Sequence, residues 1–140
     1  MGETQSRVLS SAERALTKWL LDVEFEGKEA LVAQAREARV ALAAPPPPWR
    51  SPYEFDVVRF EIAEHSPRFP RREHVPVGAD SKAHGSCVQV MLFVDVGAQS
   101  LYSIRVKDVT ADRTRWTAEF PSIDDFHAPY RNYVVEAWRI

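Results

Sequence analysis

The chain has little of what most small chemistry-bearing proteins depend on. One cysteine excludes an internal disulfide and fits a reducing compartment. No apolar run approaches the roughly 20 residues needed to cross a bilayer. The longest, Val88 to Val96, is broken by Gln89 and Asp95 and reads as a strand. No block of Lys and Arg suited to a phosphate backbone is present, and eighteen basic residues against twenty acidic ones give a formal charge of −2. Nucleic acid and membrane are therefore not the expected partners. The opening residues Met1 to Arg7 lack the apolar stretch of a secretory leader, so a cytoplasmic location is expected. No internal repeat emerges.

What is present is an ordinary globular mix. Apolar residues make up 45% and charged residues 27% of 140, enough for one core and one domain. The segment "LSSAERALTKWLLDVEFEG" opens with Ser10 and Glu13 in capping-box spacing, repeats Leu16, Leu20 and Val23 on one face, and meets Gly27 as a stop. A second helix is expected from Lys28 to Arg39, with Ala30, Leu31, Ala35 and Ala38 on its apolar edge. Together they predict a helical hairpin over residues 10–40, after a flexible N-terminus at 1–8.

The prolines of "APPPPW" cannot continue a helix and impose polyproline II geometry, which makes residues 44–52 a stiff connector. Beyond them the period changes to two. In "YEFDVVRFEI" the apolar positions shift by one at Val57/Val58, which predicts a β-bulge. "VQVMLFVDV" is apolar on both faces, as a central strand should be. "SLYSIRVKDV" and "TRWTAEF" alternate, so an antiparallel meander is expected. The resulting expectation is an α+β fold, two N-terminal helices on one face of a four- or five-stranded, mainly antiparallel sheet, with residues 53–140 forming the sheet and 64–87 a long loop. "NYVVEAW" is assigned to a terminal strand.

The pattern Leu-Ser-x-x-Glu-Arg-x-Leu-x-x-Trp-Leu-Leu from Leu9 to Leu21 resembles the opening of a family of small bacterial proteins of unknown function. In that family a similar helix pair precedes a sheet, and a strand like "VMLFVDVGAQSLYSIRV" follows. The likeness implies a bacterial origin and the α+β layout, and carries no mechanism. Where the family has a cysteine- and glycine-containing stretch after the second helix, this chain has "ALAAPPPPWR", so no ligand role passes to it.

Four groups of residues invite a functional reading. His65, His74, His84 and Cys87 are ligand types that zinc prefers, but only His84 and Cys87 have ligand-like spacing. Cys87 leads into the most apolar strand, where a thiol is a small hydrophobe, so neither metal nor cofactor is expected. A cysteine nucleophile would need His84 or His127, with Asp124 or Asp125, brought beside it by the fold. Asp124, Asp125 and His127 offer a cation site or an acid–base pair, yet the same residues commonly cap a helical turn. Arg68, Arg71 and Arg72 suit a phosphate or an acidic partner, and also a solvated loop.

Met91 and Phe93 stand apart, because on their side of the central strand the expected neighbours are Arg105, Lys107, Arg115 and Glu119. An apolar centre inside a charged rim is the anatomy of a protein-binding patch. The expected function is therefore a small non-enzymatic protein that binds an unidentified partner protein, immunity- or accessory-factor-like, with Met91, Phe93, Arg105 and Arg115 as the contact residues. The second reading is a small enzyme or ligand-binding domain with a pocket between loop 65–87 and segment 124–127. The third is a homo-oligomer assembled through an exposed edge strand.

Overall fold

A computed structural model describes residues 5–42, 54–82, 88–108 and 120–131. The expected strand "TRWTAEF", the terminal segment "NYVVEAW", the proline connector and the "HGSC" tetrapeptide lie wholly or mainly outside the described residues.

The described residues form two helices and seven strands: β1 (Ser6–Val8), α1 (Ser11–Leu20), α2 (Lys28–Glu37), β2 (Arg39–Ala41), β3 (Glu54–Glu61), β4 (Val77–Asp80), β5 (Val88–Asp95), β6 (Ser100–Asp108) and β7 (Tyr130–Arg131). All pairings are antiparallel, in the order β1-β2-β3-β6-β5-β4-β7. The fold class is α+β, and the sheet has seven strands rather than four or five.

Three of the unexpected strands, β1, β2 and β4, have a physical origin. Ser6–Val8, expected to be flexible, pairs with Arg39–Ala41 and is fastened by Arg7, whose guanidinium donates to both oxygens of Glu13 at 2.7 and 2.8 Å. The end of the expected second helix becomes β2 instead, because Ala38 is extended and Arg39 pairs with Glu61. Val77–Asp80 lies inside the expected long loop, yet it pairs with β5 on one side and β7 on the other. Pro76 and Gly78 hide the alternation of Val75, Val77 and Ala79, all of which are buried.

Helix α1 starts as its sequence dictates. The Ser10 hydroxyl accepts from the Glu13 N–H at 3.1 Å, and Glu13 Oε1 accepts from the Ser10 N–H at 2.8 Å. The helix stops at Leu20, before Gly27 is reached. Gly27 begins α2 instead, in a left-handed conformation at φ +88°, and a Cβ there would lie 2.7 Å from the ring of Phe69. That close approach lets Phe25 and Phe69 pack edge to face at 6.3 Å. Fully buried Phe69 in turn anchors the first part of the loop beneath the helices.

The core lies between the helices and one sheet face. Leu16, Leu20 and Leu31 pack with Val58, Val77, Val90, Leu92, Ile104 and Val106 in one cluster. The expected bulge at Val57/Val58 is present as a register shift between Asp56 and Val58. A second shift lies at the end of the β5–β6 hairpin, between Phe93 and Val94. The hairpin turn is shaped by Asp95, whose Oδ1 accepts from Gly97 and Ala98 N–H groups at 2.9 and 3.2 Å.

Candidate functional site

Three of the expected contact residues, Met91, Phe93 and Arg105, fall together on the sheet face away from the core. Met91 is the cross-strand partner of Arg105, and Phe93 that of Ser103. Arg115 lies outside the described residues. On this face Met91 is 8% exposed and Arg105 only 4%, while Phe93 is half-buried. The rim itself closes over the apolar centre. Arg105 lies 4.2 Å above the Phe93 ring and pairs with Asp56 at 2.8 Å, while Arg59 stacks over Tyr102 at 4.4 Å and donates to its hydroxyl. Alternation showed which residues share a face, but not that their long cations would fold down onto it.

The histidines of the zinc reading are not brought together where they are described. His65 pairs with Glu37 at 2.8 Å on the surface, and the His74 carbonyl accepts from Val94 at 2.7 Å. His84 and Cys87 lie outside the described residues, and among the described residues no group of three His, Cys, Asp or Glu side chains is arranged around a metal position.

The second expected site is bridged by backbone. Lys82 N–H donates to the Asp125 carbonyl and His127 N–H to the Asp80 carbonyl, both at 2.8 Å, with Ser81 and Phe126 forming a bridge pair between them. The segment 124–127 is thus laid against the end of β4, with Asp124, Asp125 and His127 exposed. Ile123–Asp125 is a short 3₁₀ turn with no side-chain cap bond from Ser122. Nearby, Tyr130 donates to Asp80 at 3.2 Å, and Gln89 donates to the same carboxylate at 2.8 Å. Burial, reinforced by the Asp80 charge, raises the Tyr130 hydroxyl above its ordinary value.

Two of the three arginines of the expected cluster, Arg68 and Arg71, are likewise occupied. Arg71 pairs with Glu26 at 2.5 Å and with Glu73 at 2.9 Å, and buried Glu73 also takes Arg131 at 2.6 Å. Arg68 donates to the Glu64 carbonyl at 2.9 Å. These contacts tie the loop to the helical turn and to β7.

Among the described residues, a cleft of about 770 Å³ lies open between α1 and α2. Its apolar lining comes from Leu9, Ala15, Trp19, Leu21, Val32 and Ala35, and four cations line it as well: Arg14, Lys18, Lys28 and Arg36, with Asp22 the only acid among the described lining residues. Trp19 is half-buried and rests against Phe126 with ring centroids 6.5 Å apart. Lys28 bonds to exposed Glu24 at 3.1 Å. Arg14, Lys18 and Arg36 enter none of the ion pairs among the described residues. Elsewhere Arg7, Arg59, Arg71, Arg105 and Arg131 each meet a carboxylate, whereas Arg39, Arg68, Arg72, Lys82 and Lys107, like the three cleft cations, enter none of the ion pairs among the described residues.

The sequence carried half of this signal. Arg14 and Lys18 stand one turn apart on α1, as do Lys28 and Val32 on α2. Which face of one helix looks along which face of the other is a property of the packed hairpin, and neither helix states it alone. Comparison with family models, with curated proteins and with solved structures finds no significant match.

Proposed function

We propose that this protein is a small non-enzymatic binding protein, of the immunity- or accessory-factor kind, and that its partner protein occupies the α1/α2 cleft. The observation that supports the reading is a rim on which three of four cations enter no ion pair among the described residues. A chain of formal charge −2 lines an apolar cleft with four cations and one anion, and keeps three of those cations out of its own ion pairs. An apolar centre with a charged border is the arrangement of a recognition surface, where burial supplies affinity and charge supplies orientation. The sequence pattern placed such a surface at Met91 and Phe93. With Met91 buried and Arg105 lying over the Phe93 ring, the reading moves to the helices.

Photo-crosslinking in the cells that express the protein tests this. The photoreactive residue p-benzoylphenylalanine is placed at Ala15 or Val32, and in a control at exposed Asp124. One discrete protein adduct from the cleft positions and none from the control is the expected result. No adduct from the cleft, or the same adducts from all three positions, overturns the proposal.

A further inference from the structure

From the distribution of charge along the cleft we infer the chemistry of its occupant: an acidic amphipathic helix of a partner protein. This rests on the reading of the cleft as a partner-binding site and specifies what that partner presents.

The cations are spread along the cleft rather than gathered at one place. On α2, Lys28 stands in the first turn and Arg36 in the last, with Val32 and Ala35 between them. At a rise of about 1.5 Å per residue, that separation is roughly 12 Å, a little over two helical turns. On α1, Arg14 and Lys18 are one turn apart and flank Ala15, with Trp19 following. A ligand with a single anionic head and an apolar tail would satisfy one of these positions and leave the others facing its hydrocarbon. A helix with apolar residues at i, i+3 or i+4, and i+7 lays a stripe of the right length on Trp19, Val32 and Ala35. Carboxylates on both borders of that stripe, spaced by turns, meet cations on both walls. Guanidinium and ammonium donors at such a rim add charge-assisted hydrogen bonds and speed encounter with an acidic partner.

The same features argue against a basic helix. Every wall position carrying full charge except Asp22 is positive, so like charges would face one another across a low-dielectric floor.

Fluorescence anisotropy with designed peptides tests the inference. The probes are a labelled 16-residue helix with a Leu stripe and Glu borders, its Lys-bordered counterpart, and a scrambled Glu peptide; vesicles of phosphatidylglycerol are added as a separate arm. The Glu helix is expected to bind at least tenfold more tightly than either other peptide, and to weaken as salt is raised. The double variant Lys18→Glu/Arg36→Glu, both exposed positions, is expected to reverse the preference between the Glu and Lys helices. Circular dichroism shows that the variant is folded. Equal affinity for the three peptides, no binding of the Glu helix at millimolar concentration, or vesicle binding without peptide binding overturns the acidic-helix inference. Retained cross-links from Ala15 and Val32 beside a failed peptide experiment leave the partner-binding reading standing and remove only the identity of the occupant.

Discussion

The backbone N–H of Leu101 donates to the Oε1 of Gln34 at 2.8 Å, joining α2 to β6 across 67 positions of sequence. The other end of the same carboxamide donates to the carbonyls of Pro67 and Gln99, at 2.7 and 3.2 Å. Gln34 is fully buried, so one side chain serves the helix layer, the loop and the β5–β6 hairpin together. A buried amide of this kind is stabilising only while all its partners are present.

Gln34→Leu preserves volume but removes the partners of the Leu101 N–H and the Pro67 carbonyl, while the Gln99 carbonyl keeps its bond from the Phe69 N–H at 2.8 Å. It is expected to cost about 2–4 kcal/mol, the sum of desolvated groups left unpaired. Urea denaturation checks this through a lower midpoint with an unchanged slope. A loss below about 0.5 kcal/mol shows that the three contacts contribute nothing net.

Gly27→Ala is the second strong case, for a different reason. The left-handed φ of +88° disfavours any side chain, and the added methyl would meet Phe69 at 2.7 Å and Pro70 at 2.8 Å. Strain and overpacking together predict a loss of about 2–4 kcal/mol. Gly97→Ala is the control, since its Cβ meets only Asp95 Oδ1, at 3.4 Å. Thermal unfolding of both variants is the measurement, and equal losses would contradict the packing argument.

Acid unfolding should report the Arg7–Glu13 clasp. The hydrogen bond from Arg7 holds the Glu13 carboxyl below its ordinary value of 4.5, with burial pulling the other way. A depressed folded value means that the stabilisation is complete above the ordinary value and disappears as pH falls through the folded one. The stability gap between wild type and Glu13→Gln is therefore expected to be widest near neutrality and to narrow below pH 4.5. A gap independent of pH between about 7 and 3 would show that the ionised pair is not its source.

On the outer sheet face, Asp56 and Arg105 are coupled. The pair is largely buried, with side-chain exposures of 11% and 5%, so removing Asp56 takes one carboxylate from a desolvated guanidinium. Asp56→Ala alone is expected to cost about 2–4 kcal/mol, and less when Arg105→Met is already present. A double-mutant cycle measures the difference, and additive losses would show that the two residues act independently.

How much of this was legible beforehand depends on how local each feature is. The Ser10/Glu13 capping box and the Val57/Val58 bulge are written within a few residues and stand in the structure as read. The two-faced character of β5 was equally local. Strand β4 was hidden because Pro76 and Gly78 look like loop punctuation, although the partners on either side override that preference. Strands β1 and β2 are only three residues each, too short for a period to show. Burial of Met91 depends on where Arg105 and its neighbours fold, and the cleft depends on the docking of two helices. Both are long-range facts that no spacing along one segment contains.

Amide chemical-shift mapping during titration with the Glu-bordered helix tests the cleft most directly. Shifts concentrated at Arg14, Lys18, Trp19, Val32, Ala35 and Arg36 are the result expected of a binding site between α1 and α2. Shifts centred instead on Met91, Phe93 and Arg105, with α1 and α2 unmoved, would contradict it and return the interaction to the sheet.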